Sequence, residues 1–191
     1  MFQIRFHGRG GQGVVTAAEM LSVAAFLEGK YAQAFPSFGS ERMGAPVISY
    51  CRIDTKEIRL REPIGEPDAV IIQDPTLLNS VDVFAGIKED RYLLFNSKQS
   101  YQELGIADFI LNFIPERVGC VPATELALEH VGRPVPNAAL LGGLAAITGI
   151  IQVDSVVRAV REKFSGPVAE ANIVVVNEAF NMTKKLLNGG G

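Results

Sequence analysis

Gly8-Arg9-Gly10-Gly11-Gln12-Gly13 is the run whose residue types and spacing point most directly at chemistry. Glycines allow φ > 0 and leave no Cβ in the way, so backbone N–H groups can close around an anion. A helix that starts behind such a loop adds about half a positive charge at its N-terminus. Arg9, inside the loop, has the charge and reach to cover a phosphate. The competing reading is a tight turn whose glycines only let a strand and a helix pack closely. Gln12 can orient either the loop backbone or a ligand. Other chemistry is scarce. With two Cys and two His, the chain cannot by itself hold an iron–sulfur cluster or a four-cysteine zinc site. It also lacks the Lys-Ser/Thr ending of a P-loop, an HExxH helix and a GxSxG elbow.

The elements around the loop follow from hydrophobic periodicity. Phe2 to Phe6 alternates with period two and predicts a strand. Val14 to Glu28 predicts a helix whose stripe of Val14, Ala17, Ala18, Leu21, Ala24 and Ala25 lets it lie close on a sheet. Tyr31 to Phe35 reads as a second strand, and Pro36 to Pro46 as a loop. Val47–Ile53 and Glu57–Leu60, on either side of Asp54-Thr55-Lys56, read as a hairpin. The apolar run Ala69–Ile72 predicts a strand buried on both faces. Thr76–Gly86 is expected as helix, Tyr92–Phe95 as strand, Gln99–Leu104 as a short helix and Phe109–Ile114 as strand. From Thr124 the chain reads as mainly helical, with Asn137 and Asp154 as N-caps and 171–187 as the last helix. The expected architecture is α/β: a three-layer, Rossmann-like, mostly parallel sheet with helices on both faces and an appended β-hairpin. Ligands bind such sheets beyond the C-terminal strand ends, where the glycine loop lies. A standard NAD site further needs an acid at the end of the second strand, which here ends at Phe35-Pro36-Ser37.

Bulk properties bound the rest. At 191 residues the chain reads as a single domain, 1–191, able to bury roughly 70% of its unfolded surface. Apolar residues make up 48% and charged residues 20%, which excludes a disordered chain. The net charge of −3 argues against nucleic acid as partner, and apolar runs fall short of a membrane span. Without an apolar signal core after Met1, the expected location is cytoplasmic. The first 61 residues carry a net +3 against −6 for the remainder, so a basic end could face a small anion or an acidic partner. His7 reads as a packed histidine, and Cys51 and Cys120 as small hydrophobes.

Beyond the glycine loop, Pro36-Ser37-Phe38-Gly39-Ser40-Glu41-Arg42-Met43-Gly44-Ala45-Pro46-Val47 and Glu66-Pro67-Asp68 resemble the gamma subunit of the pyruvate/2-oxoacid:ferredoxin oxidoreductases. Asn96, Pro122-Ala123-Thr124-Glu125, and Asn137 with Leu141-Gly142 are similar to that family too. The resemblance spans nearly the whole chain and is nearer the pyruvate and branched-chain members. It implies a subunit of an enzyme that oxidatively decarboxylates a 2-oxoacid to an acyl-CoA and passes electrons to ferredoxin. It also implies that thiamine diphosphate and the iron–sulfur clusters sit on partner subunits, and that coenzyme A is the ligand of this subunit. The implied ligand residues are Gly8, Arg9, Gly10, Gly11, Gln12, Gly13, Glu41, Arg42 and Asn137, with no catalytic residue and no metal. Two alternatives stay open at this point: a stand-alone NAD-binding dehydrogenase, and an assembly module whose loop binds nothing.

Overall fold

Alternation along the first strand sends Ile4 and Phe6 to one side and Arg5 and His7 to the other, and the molecule is arranged around that split. The computed structural model describes residues 1–37 and 42–188. Its strands are β1 (Phe2–Arg9), β2 (Tyr31–Pro36), β3 (Pro46–Asp54), β4 (Ala69–Ile72), β5 (Tyr92–Asn96) and β6 (Val118–Val121), in the sheet order β2-β3-β1-β4-β5-β6. β1, β4, β5 and β6 are mutually parallel, and β3 runs antiparallel to both β1 and β2. The helices are α1 (Val14–Leu27), α2 (Ala107–Ile110), α3 (Ala123–Val131), α4 (Asn137–Thr148), α5 (Val153–Lys163) and α6 (Gly166–Asn188).

The two sheet faces are covered differently. Ile4, Phe6, Cys51, Ile53 and Ile71 meet α1 and the four C-terminal helices in the larger core. The expected small-residue stripe of α1 is buried there in full. Val70, Ile72, Leu93 and Phe95 meet shorter elements: a 3-10 turn at Pro75–Asn79, α2, and the turns that flank them.

The α/β class and the mostly parallel sheet are as expected, but five local expectations are corrected. The antiparallel pair is β2–β3 rather than 47–53 with 57–60, and β3 lies between β2 and β1. Residues 57–60 form no strand; they pass over the polar face, where the Leu60 and Glu62 carbonyls accept from buried Arg52. Residues 76–86 hold only the end of a 3-10 turn, and 101–105 form turns instead of a helix. Phe109–Ile114 contributes to α2 and a turn, and the strand falls instead at Val118–Val121. Pro136 and Gln152 occupy the N-cap positions expected for Asn137 and Asp154, each of which lies inside its helix.

Candidate functional site

Apart from Glu66-Pro67-Asp68, and from Leu141-Gly142, which packs on α6, the motifs singled out above that fall in the described residues gather where the parallel strands end. The loop leaves β1 after Arg9, turns at Gly11 (φ 94°) and Gly13 (φ 70°), and enters α1 with Gly13 as the N-cap. Both angles lie in the left-handed region that glycine occupies at no steric cost. The N–H groups of Gly11, Gly13, Val14, Val15 and Thr16 have no acceptor among the described residues. They border a cavity of about 310 Å³ lined by Gly10, Gly11, Gly13, Val14, Thr16 and Val47, among others. Oriented amide dipoles and the start of a 14-residue helix make this concavity electropositive.

The second motif docks on the first. Gly10 donates its N–H to Ala45 O (2.9 Å), and Gly44 donates to Gly10 O (3.1 Å). A Cβ on Gly10 would collide with the Arg42 carbonyl, so glycine is required for this contact whether or not a ligand binds. Arg42 itself is exposed. Glu41 lies outside the described residues. Asn137 is buried at the start of α4, with its Oδ1 accepting the Ala138 N–H (2.8 Å). A Cβ on Gly13 would stand 2.5 Å from Asn137 Nδ2, so the third motif abuts the loop as well.

Arg9 lines the cavity, but its guanidinium is engaged by protein groups. Its guanidinium pairs with Asp74 (Nε–Oδ2 3.2 Å) and donates to Thr76 Oγ1 and to Gly44 O (3.0 Å). Gln12 accepts the Arg9 N–H at Oε1 and donates from Nε2 to Asp74 Oδ2 (2.8 Å). Sequence reasoning missed Asp74, Thr76 and Gln73, which follow β4; the only cue was an Asp-Pro-x helix start. Burial works to raise the Asp74 carboxyl, but hydrogen bonds from Thr76 and Gln12 and the Arg9 charge hold it below the usual range. Asn96, at the end of β5, bridges Gln73 O and Thr124 and so fixes the neighbouring strand ends.

The remaining titratable groups near the edge are structural. His7 is buried, accepts from Arg5 Nε at its Nε2 (2.9 Å) and is held down to about 3, by burial first and by the Arg5 charge second. Burial also pushes the Cys51 thiol far up and the Cys120 thiol up to about 11. Neither group offers an accessible base or thiolate at neutral pH. Among the described residues no group of three metal-ligating side chains converges. No helix is long and apolar enough there to cross a membrane.

The NAD alternative meets a geometric obstacle. In a dinucleotide fold the second strand lies beside the first and brings its terminal acid to the ribose. Here β3 fills that place, pairing Gly8 with Val47 and Arg9 with Pro46. The end of β2 is thereby displaced two strands from β1, roughly 10 Å.

Fold and site together define an anion-cradling α/β module whose glycine loop is built into a partly antiparallel sheet. The pyruvate ferredoxin/flavodoxin oxidoreductase family profile matches residues 3–182, and the chain belongs to that family. It is 49% identical over 184 residues to the pyruvate/ketoisovalerate oxidoreductases common subunit gamma of Pyrococcus abyssi, covering 96% of this chain and 98% of that one. It is 46% identical over 186 residues to the pyruvate synthase subunit PorC of Methanocaldococcus jannaschii, covering 97% and 99%. The crystal structure of pyruvate oxidoreductase subunit PORC from Thermotoga maritima matches with a TM-score of 0.78 at 33% identity, over 94% and 95% of the two chains. A 2-oxoglutarate:ferredoxin oxidoreductase from Magnetococcus marinus, described with 2-oxoglutarate, coenzyme A and succinyl-CoA bound, shares the fold at 19% identity and a TM-score of 0.70. The match covers all of this chain and 31% of that one. The family resemblance in the sequence is thus borne out, and the chain is a gamma-type subunit of an oxidoreductase of this family.

Proposed function

We propose that this subunit receives coenzyme A in a multi-subunit enzyme that oxidatively decarboxylates a 2-oxoacid of the pyruvate or branched-chain type. The cavity at the α1 N-terminus carries the proposal. Among the described residues its N–H groups at Gly11, Gly13, Val14, Val15 and Thr16 have no acceptor and no carboxylate lines it, which suits a phosphoryl group of coenzyme A. Val14, Val15 and Val47 supply the apolar wall that accompanies polar contacts in ligand sites. The proposed ligand set comprises the loop Gly8–Gly13, Glu41, Arg42 and Asn137; Arg9 and Gln12 serve by holding the loop. Thiamine diphosphate and iron–sulfur clusters reside on partner subunits, the chain works as one domain in the cytoplasm, and it does not turn over alone. The similarity to a pyruvate/ketoisovalerate oxidoreductase subunit and to a pyruvate synthase subunit supports the substrate class, and the ligands of the Magnetococcus protein support coenzyme A.

One observation favours the assembly-module reading instead. Gly10 and Gly13 are explained by their contacts with Arg42 and Asn137 alone. Thr16→Glu separates the two, because it puts a negative charge at the cavity wall without touching either contact. In the assembled oxidoreductase the KM for coenzyme A is expected to rise about tenfold or more, as for loss of a charge-assisted contact. An unchanged KM in a correctly assembled complex would overturn the proposal.

A further inference from the structure

The glycine loop is held by a side-chain network of Gln12, Gln73, Asp74 and Thr76, none of which lines the cavity, together with Arg9, which does. The Gln12 amide spans two partners, with Oε1 accepting the Arg9 N–H (2.7 Å) and Nε2 donating to Asp74 Oδ2 (2.8 Å). Rotating that amide by 180° would oppose donor to donor and acceptor to acceptor, so its orientation is fixed. Asp74 is itself held by the Thr76 N–H (2.9 Å), the Thr76 hydroxyl (2.6 Å) and Arg9 Nε (3.2 Å). Gln73, one residue earlier, donates Nε2 to Gln12 O (3.2 Å). The inward polar groups of Arg9 and Gln12 are therefore engaged, while the free N–H groups border the cavity.

The Gly10–Gly13 segment, with three glycines among its four residues, has a large backbone freedom to lose. If binding had to order it, affinity would fall; ordering it on folding removes that cost from the binding step. We infer that Asp74 is a positioning residue for coenzyme A, acting through the Gln12 amide to preset the Gly10–Gly13 backbone. The inference rests on the coenzyme A reading above. Asp74 is not itself among the residues lining the cavity, and it reaches that lining through its ion pair with Arg9.

The test uses the assembled oxidoreductase, with calorimetric binding of desulfo-coenzyme A and the coenzyme A KM as readouts. Asp74→Ala is expected to weaken both about tenfold while kcat stays within about twofold, because saturating ligand still orders the loop. Asp74→Asn keeps an oxygen for Gln12 Nε2 and recovers most of the affinity. Gln12→Glu, which sets two carboxylates against each other, reproduces the loss, and combining it with Asp74→Ala adds nothing further. Additive effects, or wild-type affinity in Gln12→Glu, would overturn the role of Asp74. Should Asp74→Ala fail to assemble, Asp74→Asn and Gln12→Glu decide the matter on the same criteria. If Thr16→Glu weakens binding while Asp74→Ala does not, only the positioning role fails; if neither does, the coenzyme A reading fails with it.

Discussion

Arg5 and His7 illustrate how much of this molecule's polarity is structural. Arg5 is buried, donates to the carbonyls of Val83 (3.0 Å) and Ala85 (2.6 Å), and caps the His7 ring at Nε2. His7 then carries its proton on Nδ1, and no group among the described residues accepts it. Below pH 6.5 the unfolded chain takes up a proton at this histidine that the folded chain refuses until about 3. Stability therefore falls as pH falls across that window, by at most about 1.4 kcal/mol per pH unit. Urea midpoints of the purified subunit at pH 7 and pH 5 should diverge in the wild type and much less in His7→Gln. Identical pH dependence in the two would show that the ring is not held neutral. At Gly10 the expectation is steric: Gly10→Ala pushes against the Arg42 backbone and should cost about 1–3 kcal/mol, read as a lowered Tm. A Tm unchanged from wild type would mean that the 42–46 segment is not seated on the loop.

Among the elements, those with long or clean periodicity were legible in the sequence, and the short ones were not. β1, α1, β2, β4 and β5 stand within a few residues of their expected places, because each carries a full period-2, a 3.6-residue or an unbroken apolar signal. β6 was missed because Val118-Gly119-Cys120-Val121 is four residues long and two of them are Gly and Cys. Phe109–Ile114 misled because a short, largely apolar run fits a turn of helix as well as a strand; its Phe109 and Phe113 rings pack at 5.1 Å. Glu57–Leu60 alternates, yet it forms no ladder, since its neighbours in the chain are recruited to solvate the Arg52 guanidinium. The loop motif itself was legible to the residue. Its clamp was not, because Gln12 and Asp74 lie 62 positions apart and nothing in either residue names the other.

At the scale of the whole molecule, Arg42 is where the site and the surface meet. It is exposed, and its backbone is pinned to the glycine loop while its side chain is free of the core. A guanidinium there can grip a phosphate or a partner's carboxylate bidentately, which an ammonium cannot reproduce. Arg42→Lys should therefore impair the assembled enzyme while the isolated subunit keeps its Tm. A raised coenzyme A KM in an intact complex would assign the side chain to the ligand, and salt-sensitive dissociation of subunits would assign it to the interface. Wild-type kinetics and assembly would leave Arg42 with no function beyond its backbone.

The antiparallel strand set beside β1 also bears on how the chain is made. Ile4 pairs with Cys51 on one side and Ala69 on the other, so the central strand is bracketed only after its partners have been synthesised. At ribosomal speeds of about 5–20 residues per second, that leaves β1 waiting roughly 4–15 s for both neighbours. A strand flanked on both sides in the finished sheet is thus made before either of its partners. Arg5 and His7, which turn one of its faces polar, keep it water-compatible through that interval and only afterwards become buried groups.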